Sequence, residues 1–92
     1  MSKDFKKDDI VINPLSGIIL KITNKKTSKN STITSYDYVV KISTAEEPGS
    51  ISTFYPGSMF HNDCYLLKDS TDFVKRKFVT TIWRQIRNRE LE

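Results

Sequence analysis

The sequence predicts a mainly β fold, in which five short strands form a small barrel and one amphipathic α-helix follows at the C-terminal end. Short runs of β-branched and aromatic residues recur along the chain up to about residue 68. Residues typical of turns, among them Pro, Gly and Asn, separate these runs. From residue 71 onward the apolar spacing becomes that of a helix, which ends the β region.

The chain of 92 residues is predicted to be a single domain (residues 1–92), with the barrel over residues 5–68 and the helix over residues 71–89. Its longest apolar run, Ile18 to Leu20, is too short to span a membrane, and the polar start at Met1 to Asp4 does not resemble a signal peptide. The single cysteine, Cys64, cannot form an internal disulfide, which is typical of a reducing compartment. We therefore expect a cytoplasmic protein without membrane contact.

The first half of the barrel is predicted to contain two strands. Ile10 to Ile12 is the first, and a turn over Asn13 to Gly17 follows it, since this segment contains both a proline and a glycine. Ile18 to Thr23 is the second strand because it is rich in β-branched residues. The segment Asn24 to Asn30 contains no apolar residue, so we expect an exposed loop there.

Three further strands are predicted in the second half. In Tyr36 to Ile42, every second residue from Tyr36 onward is apolar, which is the period of a half-buried strand. Ser50 to Tyr55 is the fourth strand, and a proline and a glycine end it. Ser58 to Asn62 is expected to form one 3₁₀ turn, and Cys64 to Leu67 the fifth strand.

The C-terminal segment is predicted to be a helix with two different sides. Ser70 or Thr71 is the expected N-cap, and Asp72 complements the helix dipole. At about 100° per residue, the apolar residues share one side: Val74, Phe78, Val79, Ile82, Trp83 and Ile86. The opposite side carries the cations Arg76, Lys77, Arg84 and Arg87. On this spacing Trp83 belongs to the core or to an interface rather than to a surface that stacks on bases.

The net charge of +4 is concentrated in this helix. Residues 1–72 contain nine lysines and nine acidic residues, whereas residues 73–92 contain six basic residues, including every arginine of the chain, and two acidic ones. Since a guanidinium matches phosphate geometry, a neutral body with an arginine-rich helix favours DNA or RNA as a partner. The predicted nucleic-acid-binding residues are Arg76, Lys77, Arg84 and Arg87 of the helix, with Lys25, Lys26 and Lys29 as a mobile arm.

Five segments together resemble the SH3-like small barrels, in the broad sense that includes KOW and Tudor-type modules. They are the charged lead-in Phe5 to Val11, Gly17 before the second strand, Tyr36 to Ile42, the transition from strand to 3₁₀ turn in Phe54 to Phe60, and Cys64 to Leu67. The resemblance implies a five-stranded barrel over about residues 5–68. The pattern is also compatible with an OB-like barrel or an open five-stranded sheet. Small barrels bind DNA, RNA, peptides and proteins, so the fold leaves the function open.

Catalytic and metal sites are not predicted. His61 and Cys64 are the only candidates by residue type, and a closed zinc site usually needs four ligands from Cys and His clusters. The expected arrangement is a surface histidine beside a half-buried cysteine, without metal or cofactor. The chain is similar to the MazF-type endoribonucleases in Asp9 to Val11 and in size, which leaves a small ribonuclease as a third hypothesis. Those enzymes use an arginine of the barrel, and residues 1–72 contain none.

A protein–protein adaptor, or an inhibitor of a larger host or viral complex, is the second hypothesis. An amphipathic helix with large apolar residues can dock in the groove of a partner or pair with its own copy as a homo-oligomer. In that case the predicted contact residues are Trp83, Phe54 and Tyr55.

Overall fold

The computed structural model of the chain describes residues 4–90, with the helix described as far as the backbone of Glu90. Met1 to Lys3 at the polar start of the chain, and Leu91 and Glu92 at the end of its basic segment, lie outside the described residues. The elements in chain order are β1 (Ile10–Asn13), β2 (Ile18–Thr27), β3 (Ile33–Ser43), β4 (Ile51–Phe54), α1 (Met59–Asn62), β5 (Tyr65–Leu66), a 3₁₀ turn (Leu67–Asp69) and α2 (Asp72–Glu90). The predicted fold class of five strands and one long C-terminal helix is confirmed.

The five strands form one antiparallel sheet in the order β4-β3-β2-β1-β5. The two edge strands do not pair, so the sheet is open and the predicted closure into a barrel is wrong. Closure needs edge strands long enough to meet, but β5 has two residues and β4 has four. Pro56 follows shortly after β4 and has no N–H group to donate to a ladder.

The short helix α1 covers part of the core next to β4. It does so through side-chain packing, whereas β4 and β5 do not pair with each other. The Phe60 ring is nearly parallel to the Tyr38 ring, with the two ring centres 5.9 Å apart. Its centre lies 5.3 Å from that of the Phe54 ring. Ser58 caps α1 by accepting a hydrogen bond from the His61 N–H. The segment predicted as one 3₁₀ turn is therefore a single α-helical turn, which the serine cap stabilises.

Strands β2 and β3 continue past the sheet's apolar core as a two-stranded ribbon. Lys25 lies opposite Tyr36 and Lys26 opposite Ser35, so half of the predicted loop over residues 24–30 is strand. Backbone hydrogen bonds hold such a ribbon together without apolar side chains. Ser31, with φ of 62°, lies in the tight turn that joins the two strands.

The core lies on one face of the sheet. Its buried members are Phe5, Val11, Ile18, Leu20, Ile22, Tyr36, Tyr38, Val40, Phe54 and Cys64. The alternation predicted for β3 ends at Lys41, which has no partner because Leu20 pairs with Val40 and Ile19 with Ile42. This bulge turns Ile42 to the outer face, where its side chain is 52% exposed.

Helix α2 contributes no residue to this core cluster. Thr71 is its N-cap, as predicted, since the Thr71 hydroxyl accepts a hydrogen bond from the Val74 N–H. Of the helix side chains that the structure describes, only Val74 and Thr81 are buried. The helix is thus attached to the surface of the part of the chain that precedes it, residues 4–71, which we call the β body.

Candidate functional site

The C-terminal half of α2 is anchored by polar contacts. Gln85 donates a hydrogen bond from Nε2 to the carbonyl of Ser16, 3.1 Å away, and its Oε1 accepts one from the Thr44 hydroxyl. Arg89 donates to the carbonyl of Thr44. Gly17 lets the helix come this close, because a Cβ at that position would lie 2.9 Å from Gln85 Oε1. These contacts fix the rotation of the helix about its axis.

This rotation leaves part of the apolar stripe in solvent. Val74 is buried and Phe78 half-buried, whereas Val79 is 50% and Trp83 67% exposed. Of the two places predicted for Trp83, the core is wrong, and an interface stays a prediction. Trp83 follows Val74 by nine positions, or about 900° at 100° per residue, which places it on the opposite side of the helix. The anchoring residue Gln85 lies on the Val74 side, and so Trp83 faces outward.

The cationic surface of α2 consists of six exposed side chains: Lys75, Arg76, Lys77, Arg84, Arg87 and Arg89. Within residues 4–89, no carboxylate oxygen lies within 4.0 Å of the charged nitrogens of these residues. Lys77 instead sits over the Phe73 ring, with its Nζ 5.9 Å from the ring centre. The only carboxylate in the first turn of α2 belongs to Asp72.

Trp83 lies on the outward side of α2, beside three of these six cations. It borders an open crevice whose other lining residues are Thr80, Arg84 and Arg87. By helical spacing, Arg76 lies about two turns before Trp83 and Arg87 about one turn after it, on the same side. The structure therefore combines an exposed aromatic side chain with three arginines, whereas the sequence pattern placed the two types on opposite sides.

The lysines predicted as a mobile arm lie elsewhere. Lys25 and Lys26 are part of β2, and only Lys29 is in the turn after it. Lys25 Nζ is 2.6 Å from Asp4 Oδ1, and this hydrogen bond lowers the pKa of the Asp4 carboxyl. Lys26 Nζ is 3.7 Å from Asp37 Oδ2. Each of these two lysines is thus paired with a nearby carboxylate. Lys25 also lies far from α2, since it is about 26 Å along the strand from Gly17, where the helix is anchored.

The three residues predicted to bind a protein partner differ in their exposure to solvent. Phe54 is 4% exposed and its ring stacks on Tyr36 at 5.0 Å, so it belongs to the core and cannot contact a partner. Tyr55, the next residue, is 63% exposed, as is expected of adjacent residues at a strand end. Of the three residues proposed for an adaptor, Trp83 and Tyr55 are therefore accessible.

His61 and Cys64 are both inaccessible, with 1% and 0% of their surface exposed. The prediction of a surface histidine is wrong, since the His61 ring packs 5.5 Å from the rings of Phe5 and Tyr36. Its Nδ1 accepts a hydrogen bond from the Gly57 N–H, 2.9 Å away. Within residues 4–90, no three His, Cys, Asp or Glu residues are grouped in a way that could hold a metal ion.

Comparisons of the chain with protein-family models, with curated proteins and with solved structures give no match. The resemblance to SH3-like barrels therefore stays a prediction. In the part of the chain that the structure describes, no helix has the length and apolar character needed to cross a bilayer.

Proposed function

We propose that this protein is a non-enzymatic module that binds nucleic acid through the outward face of α2. The observation that carries the proposal is the cationic surface: its six side chains are exposed, and among residues 4–89 no carboxylate oxygen lies within 4.0 Å of their charged nitrogens. Solvated helices usually mix acidic and basic residues, since pairs at i,i+4 stabilise them. Between Asp72 and Glu90, α2 carries basic residues and no acidic ones, so Lys77, Arg84 and Arg87 have no acidic residue at i−4 or i+4, and a polyanionic partner would supply the missing charge.

The shape of the surface agrees with a row of phosphates. Arg76 and Arg87 are eleven positions apart on one side of α2, which corresponds to about 16 Å along the helix axis. Arg84 lies between them and borders the same crevice as Arg87. Each phosphate that such a surface neutralises releases counterions, so the affinity depends steeply on salt.

The test is fluorescence anisotropy with labelled DNA and RNA, each single-stranded and duplex, at about 50 and 200 mM salt. With four phosphate contacts, the affinity is expected to fall about 100-fold between the two salt concentrations. The double variant Arg84→Glu/Arg87→Glu should abolish binding at the lower salt. Its matched control is Lys41→Glu/Lys68→Glu, which makes the same change in charge at two exposed positions of the β body.

The control variant is expected to bind within a few-fold of the natural protein. Equal losses in both double variants would mean that only total charge matters, and α2 would not be the binding surface. Failure of the natural protein to bind any of the four nucleic acids at the lower salt would refute the proposal.

A protein–protein adaptor is the second candidate, because Trp83 and Tyr55 are large, exposed and of the types enriched at interfaces. It predicts a protein partner that the Trp83→Ala or Tyr55→Ala variant no longer retains, while both variants stay folded. A partner that both variants retain unchanged would exclude this use of the two residues.

A further inference from the structure

We infer that the preferred ligand of α2 is single-stranded nucleic acid, with an unpaired base stacked on Trp83 and neighbouring phosphates on Arg84 and Arg87. This inference rests on the proposed function and specifies its ligand. It follows from the position of Trp83, which the sequence pattern assigned to the core or an interface and which in the structure is exposed beside Arg84 and Arg87.

The indole of Trp83 is available for stacking. Its side chain is 67% exposed, and none of the ring–ring contacts among the described residues involves it. The aromatic residues in and against the core, in contrast, pack on one another, as Tyr36 does with Phe54 and Tyr38 with Phe60. Trp83 therefore keeps a large π surface toward solvent without a structural task inside the fold.

The residues around Trp83 favour a ligand that carries negative charge. Arg84 and Arg87 line the same crevice, and their guanidinium groups attract anionic groups close to the indole. A carboxylate that would repel phosphate is absent from the described lining of this crevice. An uncharged aromatic ligand would use Trp83 alone, whereas a nucleotide uses the ring and the arginines together.

The geometry distinguishes single strands from a duplex. In a duplex, the faces of the bases are covered by their neighbours, so an exposed indole has no base face to meet unless it forces two base pairs apart. In a single strand, base faces are accessible, and stacking on an aromatic side chain tolerates any sequence. Phosphate contacts alone would give no reason for an exposed Trp83, since arginines are sufficient for them.

Trp83 is the only tryptophan of the chain, which makes its intrinsic fluorescence a direct reporter of the site. The experiment titrates the full-length protein with a single strand of about 12 nucleotides and, separately, with the duplex of the same sequence. Tryptophan emission is measured together with the anisotropy of a labelled strand, at low salt. We expect tighter binding of the single strand, accompanied by quenching of Trp83, because a stacked base contacts the excited indole.

Two variants isolate the ring from the charge. Trp83→Leu keeps every cation and an apolar side chain, and should weaken single-strand binding about 5- to 150-fold while changing duplex binding little. Trp83→Tyr keeps an aromatic face and should restore most of the affinity. Because position 83 is exposed, both variants should fold normally, and circular dichroism verifies this.

The outcomes separate this inference from the proposed function. Equal affinity for the single strand and the duplex, or binding without a change in Trp83 emission, would overturn the single-strand inference and leave the proposed function standing. Tight, Trp83-dependent binding of the duplex would indicate a wedge between base pairs and would likewise overturn it. Failure to bind either nucleic acid would overturn both.

Discussion

The β body and helix α2 differ in how they place aromatic and cationic side chains. The body buries aromatic residues such as Tyr36 and Phe54 against each other and leaves Tyr55 exposed, whereas α2 fully buries none of its aromatic residues and leaves Phe73 and Trp83 exposed. Three lysines of the body lie within 4.0 Å of carboxylates, whereas the cations of α2 have no such neighbour among residues 4–89. The body thus contains the buried core, and the proposed function assigns nucleic-acid binding to the exposed side chains of α2.

The largest expected contrast between the two regions is in stability. Leu20→Ala, in the middle of the core, should lower the free energy of unfolding by about 2 to 5 kcal/mol, because it leaves a cavity. Val79→Ala, on the half-exposed side of α2, should change it by less than about 0.5 kcal/mol. Urea unfolding followed by circular dichroism measures both. A comparable loss in the two variants would show that α2 is part of the core.

A smaller effect tests how α2 is attached. Gly17→Ala introduces a Cβ that meets Gln85 and Thr81, at a φ of 69°. Gly57→Ala is the matched control, since Gly57 has a φ of 79° with no atom within 4 Å of the added Cβ. Both variants incur left-handed strain of about 1 to 2 kcal/mol, and we expect Gly17→Ala to lose about 1 kcal/mol more through the Gln85 hydrogen bonds.

A double-mutant cycle with Gln85→Ala should remove most of that additional loss, because the shortened side chain no longer meets the new Cβ. Unfolding free energies of the four proteins provide the measurement. Equal losses for Gly17→Ala and Gly57→Ala would mean that α2 is not held at this turn.

The smallest effect concerns the balanced charges of the body. The hydrogen bond from Lys25 lowers the pKa of Asp4 below its usual value of 3.8. The ionised carboxylate therefore stabilises the fold above that value, and the contribution is lost as the pH falls through the lowered pKa. Asp4→Asn should cost less than about 1 kcal/mol at pH 7, since the pair is exposed to solvent.

The difference between Asp4→Asn and the natural protein should shrink as the pH falls below 3.8 and disappear at the pH where the carboxyl is protonated in both states. Glu47→Gln, at an exposed position of the β3–β4 turn, serves as the control and should show no comparable pH dependence. A loss in Asp4→Asn that stays constant down to that pH would attribute it to packing rather than to charge.

Local signals in the sequence were sufficient for much of the fold. The Thr71 cap and the 3.6-residue period predicted α2 almost to its ends, and the alternation in β3 predicted which side of Tyr36 to Val40 is buried. The bulge at Lys41 was not predictable in this way, because it depends on the register against β2. The open sheet also depends on the lengths of two strands that are far apart in sequence.

The candidate site was predictable only in part. The charge pattern identified the cations of α2, but not the position of Trp83 among them. The apolar residues of this helix cover an arc of about 180°, which is wider than the body can bury. Gln85, a polar residue, decides which half of that arc faces inward, and its contacts with Ser16 and Thr44 come from distant parts of the chain. Counting the nine positions from Val74 to Trp83 would have revealed the conflict.

The sparse attachment of α2 also has a consequence for local opening. A helix held by two buried side chains and a few polar contacts separates from the body at a lower free energy than the sheet unfolds. Its backbone amides should therefore exchange with deuterium before those of β2. A ligand bound to α2 would slow the exchange of the helix and leave that of the sheet nearly unchanged, so hydrogen exchange would map the binding region amide by amide.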